Sequence, residues 1–301
     1  MSAQPTRSGF IALAGRPNVG KSTLANAVVG AKVAIVSDKP QTTRRAIRGV
    51  ANGPDWQLVL VDLPGVQRPR DALTERMQRR VEHELEDADG CLFVVNAEEG
   101  VGPGDRFIAG LLRAAGVPVV IAVNKIDRTN RRGTASALQA AAALEVAEEV
   151  FPVSAATGSG VRSLVDSLVS LLPEGPLYFE PEQRSDQTES VLLAELVREQ
   201  VLARTREEVP HSVEVAIEAI EHGESSRDPD LIRIEAVILA ETESQKRILI
   251  GAGGQMVKSI GIASRRAIER ELGTRVHLDL KVRVRRHWRA DERMLDRLGI
   301  E

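Results

Sequence analysis

No stretch of this chain limits its fold more than Gly15-Arg-Pro-Asn-Val-Gly-Lys-Ser22. It has the form GxxxxGKS, with an apolar run at 10–14 before it and a helix-like segment at 21–29 after it. A glycine-rich turn between a strand and a helix lets several backbone N–H groups converge, and the positive end of the helix dipole adds to them. Such a turn takes phosphate. Lys21 is expected to reach the β- and γ-phosphates of a nucleotide, and Ser22 to offer its hydroxyl to Mg²⁺. Gly15, Asn18, Val19, Gly20 and Thr23 complete the expected loop contacts. The bland alternative, a glycine turn that only caps a helix, leaves the adjacent Lys-Ser pair unexplained.

The surrounding pattern fits that motif. Short apolar runs at 10–14, 56–61, 91–96, 117–123 and 150–153 alternate with helical candidates at 21–29, 71–86, 105–115, 135–148 and 160–171. Several of the runs are almost continuously apolar, as suits strands covered on both faces in a parallel sheet. The fold class is therefore α/β, a P-loop nucleotide-binding domain over residues 8–172.

Further motifs fall at the strand ends. Asp62-Leu-Pro-Gly65 follows the run at 56–61, so Asp62 can hold Mg²⁺ through water and the Gly65 N–H can touch a γ-phosphate. Lys21, Asp62 and Gly65 are the catalytic candidates. Between the two motifs, Gln41-Thr-Thr-Arg-Arg offers Thr42 or Thr43 as the second hydroxyl ligand to the metal, a switch residue that the residues alone do not single out. Asn124-Lys-Ile-Asp127 follows the run at 117–123. Asp127 can accept from guanine N1–H and the 2-amino group, which adenine does not match, so the base is guanine. Asn124 is expected to tie loops together, the Lys125 stem to lie along the ring, and Ser154-Ala155 to close the pocket with a backbone N–H.

Residues 173–188, rich in Pro and acidic side chains, read as a linker. Beyond it, 189–301 reads as a helix at 189–205, strands at 211–221 and 231–241, a third strand at 247–250, a helix at 255–271 and an alternating strand at 275–286. Gly251-Ala-Gly-Gly254 forms a GxxG turn ahead of that last helix. Small residues at Ala252 and Gly253 admit a nucleic-acid backbone, Gln255 opens the helix, and Lys258, Ser259, Arg265 and Arg266 stand nearby. A KH module clamps about four unpaired nucleotides with such a turn. Lys281 and Arg283 on the alternating strand extend the expected RNA surface. Trp288 is the one aromatic candidate for base stacking, with core capping as its alternative.

Charge supports this division. The chain has 301 residues and a formal charge of −3, yet residues 242–301 carry 14 basic and 8 acidic side chains. A polyanion partner for that end is therefore open. The single cysteine, Cys91, sits in a strand-like run, and no stretch reaches the length of a membrane span. A reducing, cytoplasmic setting is expected, with peripheral membrane attachment left open. The five histidines share no ligand spacing.

In order and kind these motifs resemble the translation-factor-like P-loop GTPases. Together with Glu174-Gly-Pro-Leu-Tyr-Phe, Ile250-Gly-Ala-Gly-Gly-Gln-Met-Val-Lys-Ser-Ile-Gly and Leu280-Lys-Val-Arg-Val-Arg-Arg-His-Trp-Arg-Ala-Asp-Glu-Arg, they resemble the Era-like GTPases from about residue 8 to the end. The resemblance implies a type II KH domain that binds the unpaired 3′ end of 16S rRNA and assists 30S assembly, with RNA stimulating hydrolysis of GTP to GDP. It also implies association with the inner membrane face; the protein is expected to be a monomer. Ala252 departs from the pattern, standing where Lys or Arg is common. Val66 follows Gly65 where small Ras-like GTPases carry a water-orienting glutamine, so slow unassisted turnover is expected. Asn18 resembles the asparagine of GTPases that recruit K⁺; its alternative is a bond to the switch backbone. Two other classes compete: a binding protein in which nucleotide is only a clamp, and a GTPase acting on a membrane or protein partner.

Overall fold

The computed structural model describes residues 6–39, 41–65, 71–207, 209–223 and 231–300. The chain divides into two compact units, one reaching to Asp186 and the other formed by Gln187–Gly299.

The first unit runs β1 (Arg7–Ala14), α1 (Lys21–Val29), β2 (Ile47–Asn52), β3 (Trp56–Asp62), α2 (Ala72–Glu86), β4 (Gly90–Asn96), α3 (Pro103–Ala115), β5 (Val119–Asn124), α4 (Arg131–Ala142), β6 (Glu149–Pro152) and α5 (Val161–Leu171). The sheet order is β2-β3-β1-β4-β5-β6. Alternate side chains of β1, β3, β4 and β5 enter two cores. Ala12, Val61, Phe93 and Val123 pack with Val81, Ile108 and Ala137 of α2, α3 and α4. Leu13, Leu60, Val94 and Ala122 pack with Leu24 and Leu164 of α1 and α5. Burial on both faces is why those strands read as unbroken apolar runs. The five strands from β3 to β6 in the sheet are parallel, so their C-terminal ends share one edge. Ligands bind at that edge in open α/β sheets.

Two features depart from expectation. β2 has no counterpart among the expected strands, and it pairs antiparallel to β3, so the sheet is mixed. Its sequence, Ile-Arg-Gly-Val-Ala-Asn, mixes a charge and a glycine into a short segment with no clear period. The aperiodic stretch after residue 172 also lies against this unit rather than hanging free. Ser8 N–H donates to the Pro173 carbonyl at 3.1 Å and Val50 N–H to the Arg184 carbonyl at 2.8 Å. Buried Gln57 accepts from the Tyr178 and Phe179 amides at 2.8 and 2.9 Å and donates to the Phe179 carbonyl at 2.9 Å. The strap covers the outer edge of β2, where an open strand would otherwise expose unpaired backbone groups.

The second unit runs α6 (Glu189–Arg204), α7 (Val209–Ser212), β7 (Glu214–Glu221), β8 (Leu231–Ala240), α8 (Glu243–Ile250), α9 (Gln255–Leu272), β9 (Arg275–Val284) and α10 (Glu292–Arg297). β7 is antiparallel and β9 parallel to the central β8. Leu196, Ile238, Leu249, Ile260, Ile268 and Val276 meet in its core. The segment expected as a third strand is the end of helix α8. Its start is fixed by a capping box: Thr242 Oγ1 accepts the Gln245 N–H at 3.2 Å, and Gln245 Oε1 accepts the Thr242 N–H at 3.1 Å. Of Ile248, Leu249 and Ile250, only Leu249 is buried, as one face of a helix requires. Trp288 is fully buried, its indole N–H donating to the Ser212 carbonyl at 3.0 Å, so it is a core residue rather than a stacking platform. Among the described residues, no helix is long and apolar enough to cross a membrane.

Candidate functional site

The loop after β1 ends in Gly20, whose φ of +99° is a left-handed value that favours glycine. A Cβ there would also lie 2.4 Å from Asn124 Nδ2. No side chain caps α1, so its first N–H groups remain available to an anion. Lys21 is buried beneath the loop, its Nζ donating to the Gly15 and Arg16 carbonyls at 3.1 and 3.2 Å. Burial pushes its ammonium down to about 8, partly opposed by Asp62. A lysine in such surroundings gains from a phosphate more than a solvated one does. Thr23 follows in the first turn of α1, and Val19 is buried under the loop.

Ser22, Thr43 and Asp62 converge. Ser22 Oγ donates to Asp62 Oδ2 at 2.7 Å, Thr43 Oγ1 donates to the same oxygen at 3.2 Å, and the two hydroxyls lie 3.1 Å apart. Thr42 points elsewhere: its hydroxyl donates to the Lys39 carbonyl at 2.5 Å. The set is two hydroxyls and a carboxylate, hard oxygen donors of the kind Mg²⁺ takes along with nucleotide phosphates and water. Residues of the cleft above them, of about 260 Å³, include Lys21, Ser22, Thr43, Gly65, Lys125 and Arg128. Gly65 closes against Pro17, whose ring carbon is 3.0 Å from where a Cβ would stand. Val66 lies outside the described residues.

Asn124 ties two loops together. Its Nδ2 donates to the Val19 carbonyl at 3.0 Å and its Oδ1 accepts the Ala155 N–H at 3.0 Å. That amide was expected to face the base, so a base contact there has to share or displace this bond. Lys125 Nζ donates to the Asn18 carbonyl at 2.6 Å. Asp127 is exposed, and buried Ser154 donates to its Oδ1 at 2.6 Å, which orients the carboxylate. Asn18 donates from Nδ2 to the Asp38 carbonyl at 2.8 Å, the switch-backbone alternative of the two expected for it.

Sequence reasoning missed the brace of the phosphate loop. Arg16 lies 2.8 Å from the fully buried Asp105 of α3 and 3.0 Å from Glu99. Asp105 was visible only as a helix-start carboxylate, since it also accepts the Gly102 N–H at 2.8 Å.

In the second unit the turn joins two helices. Gly251, Gly253 and Gly254 have φ of +72°, +56° and +77°. A Cβ at Gly251 would lie 2.7 Å from Met256 Cβ, whereas Gly253 and Gly254 face open space. Ala252, Gly253, Gln255, Lys258, Ser259 and Arg266 are exposed around it. The other expected RNA contacts separate from this group. Arg265 is turned toward Glu269, at 3.7 Å. Lys281 and Arg283 alternate with Leu280 and Val282, which join the core, so they occupy the opposite face of the sheet from α9. There Lys281 pairs with Asp279 at 2.8 Å and Arg283 with Glu218, so the wet face is a mixed-charge surface rather than a basic one.

Compared with known proteins, the chain matches the 50S ribosome-binding GTPase family over residues 10–125 and the KH domain over 208–289. It is 46% identical to GTPase Era of Mycobacterium bovis over 97% of this chain and 98% of the relative, and 45% identical to GTPase Era of Mycobacterium avium over the same shares. The chain belongs to the Era family of GTPases. An Era variant from Aquifex aeolicus, solved with GDP and AlF4⁻, matches with a TM-score of 0.93 at 35% identity, covering 98% of this chain and 99% of its own. The same values hold for an Era structure with MgGDPNP and nucleotides 1506–1542 of 16S ribosomal RNA. Membership makes the strand-edge cleft the site of GTP hydrolysis and the second unit a KH domain.

Proposed function

We propose that this GTPase binds the 3′ end of 16S rRNA through its KH turn, acts in 30S subunit assembly, and uses GTP to set its hold on that RNA. The observation that carries the nucleotide half is the meeting of Ser22, Thr43 and Asp62 within 3.2 Å of one another, beside buried Lys21. The exposed turn between α8 and α9 supports the RNA half, as does the RNA in the solved relative.

On this reading the loop N–H groups, with Gly15, Asn18, Val19, Gly20 and Thr23 shaping them, grip the phosphates. Lys21 balances charge on the β- and γ-phosphates. Ser22, Thr43 and Asp62 hold Mg²⁺, with Thr43 rather than Thr42 as the switch ligand. Mg²⁺ held by these three residues would supply positive charge against the negative charge that develops on the phosphates. Asp127, set by Ser154, reads guanine, while Asn124, Lys125 and Ala155 frame it. Water attacks the γ-phosphate in line and GDP leaves with inorganic phosphate. Val66 cannot orient that water by hydrogen bonding, so turnover is slow until RNA binds.

Gly251, Ala252, Gly253, Gly254 and Gln255 admit the RNA backbone, and Lys258, Ser259 and Arg266 hold it. Asn18 keeps switch I in place; a potassium ion on its Oδ1 is the second reading, motivated by that oxygen's lack of a protein partner among the described residues. Hydrolysis rates in KCl and NaCl separate the two. The protein works in the cytoplasm as a monomer, and any hold on the membrane is peripheral.

The test is GTP hydrolysis with and without an RNA of the 1506–1542 sequence. Stimulation by the RNA supports the reading. Tight RNA binding with an unchanged rate favours a nucleotide-clamped binding protein, and absence of RNA binding removes the RNA half altogether.

A further inference from the structure

Beside the glycine turn, α6 and α9 enclose a groove of about 540 Å³. Residues lining it include Arg204, Lys258, Ser259, Ile262, Arg266 and Arg270, and no Asp or Glu is among them. The cations recur on α9 at 258, 266 and 270, spacings of eight and four that keep them on one stripe. That stripe lies opposite Ile260, Ser264 and Ile268, which face the core. Lys258, Arg266 and Arg270 are exposed and make no ion pair among the described residues. Glu269, the acidic residue between Arg266 and Arg270 on α9, is turned to Arg265 and to the Val276 N–H, which it accepts at 3.2 Å.

Arg204 comes from the other wall and is held in position. It donates to the Gln200 carbonyl and Oε1 at 3.2 and 2.9 Å, and across the groove to Ser259 Oγ at 3.3 Å. Four guanidinium or ammonium groups facing one groove repel each other, and without a partner the arrangement is unfavourable. By contrast, Lys281 and Arg283 on β9 and Arg285 just beyond it each have an acidic partner. What sets the groove apart is that several such cations line one cavity with no carboxylate in its lining.

We infer that the α6–α9 groove is a second RNA contact, in which Arg204, Lys258, Arg266 and Arg270 hold the phosphate backbone of the strand that leaves the GxxG turn. The inference rests on the RNA reading above and extends it beyond the turn. Continuity decides the occupant: Gln255, the residue after the turn, also lines the groove. From Lys258 to Arg270 the stripe extends about 18 Å at 1.5 Å per residue, beyond the reach of a turn that clamps about four nucleotides. Phosphate contacts of this kind position RNA without reading its sequence. Ile262, 42% exposed amid these charges, offers an apolar surface for a sugar or base face.

The test compares full-length wild type with Arg204→Gln/Arg270→Gln, using a six-nucleotide RNA that fills the turn alone and the 37-nucleotide 1506–1542 RNA. The variant should bind the short RNA normally and the long RNA at least tenfold more weakly. Its salt slope for the long RNA should fall by about 1.4, at roughly 0.7 for each single-strand phosphate that the missing arginines no longer neutralise. Equal weakening on both RNAs would place these arginines at the turn and overturn the inference, as would an unchanged affinity for the long RNA. Phosphatidylglycerol vesicles provide the remaining arm: a variant that loses vesicle binding and keeps long-RNA binding assigns the groove to a membrane surface. Failure of wild type to bind either RNA would instead sink the RNA reading itself. Arg270 is exposed and Arg204 half-buried at the groove wall, and an unchanged melting temperature verifies that the variant is folded.

Discussion

The strand-edge cleft and the glycine turn solve opposite recognition problems. In the cleft, most functional side chains are buried and already hydrogen-bonded within it: Lys21, Asp62, Asn124 and Ser154 are among the buried polar residues, and exposed Asp127 is held by Ser154. Such a site fits one small ligand, and wrong ligands leave its polar groups unpaired. At the turn, exposed glycines present bare backbone, and cations stand apart without fixed partners. That surface suits a long, flexible polyanion, whose charge supplies affinity and whose backbone needs clearance. Specificity in the first comes from preorganised hydrogen bonds, and grip in the second from charge and close approach.

Lys21→Ala should produce the largest effect. Charge-assisted hydrogen bonds contribute about 1.5–3 kcal/mol each, so GTP affinity should fall by roughly 100-fold or more in a fluorescent-nucleotide titration, with RNA affinity of the turn itself intact. The pH dependence sharpens this. Free Lys21 loses its proton above about 8, and phosphate restores the charge, so GTP binding should take up a proton there. Affinity then declines above pH 8 by up to about tenfold per unit, and Lys21→Arg, which stays charged, should flatten the decline. Stability of the nucleotide-free protein follows the opposite sign. The unfolded lysine keeps its proton to about 10.4, so stability relative to Lys21→Met should rise between about pH 8 and 10.4.

Gly253→Asp is the reciprocal change. It places a carboxylate where the RNA backbone comes close, so RNA affinity should drop by tenfold or more while GTP binding is unaltered. Loss of both together would merge the two sites that the comparison keeps apart. Within the cleft, Asp127→Asn should cost GTP roughly 10- to 100-fold, as one charged acceptor is removed, and improve XTP binding. Thr43→Ala should raise the Mg²⁺ concentration needed for hydrolysis, whereas Thr42→Ala should not; the reverse outcome moves the metal ligand to Thr42. Gln245→Ala should have the smallest effect, about 1 kcal/mol of KH-unit stability from the broken capping box, read as a lower urea midpoint.

The same contrast explains how much of the molecule is legible in its sequence. Strands β1, β3, β4 and β5 are legible because burial on both faces makes their residues continuously apolar, and motifs at their ends mark the cleft. β2 escapes notice because an edge strand with Arg48 and Gly49 carries no such run. The strap along it has no period, since its structure consists of backbone bonds to Gln57, Ser8 and Val50. Ile248-Leu-Ile makes the end of α8 look like a strand, although Thr242 and Gln245 already spell a helix start. Thr42 and Thr43 separate only in space, by which hydroxyl faces Asp62. The basic groove is partly visible in the spacing of Lys258, Arg266 and Arg270, but Arg204 joins it through the packing of α6 on α9.

The central claim is that the nucleotide in the cleft governs the grip of the turn on RNA. The direct measurement is the affinity of one preparation for the 1506–1542 RNA with a non-hydrolysable GTP analogue, with GDP and with neither. Binding should be tightest with the GTP analogue; three equal affinities would break the link between cleft and turn.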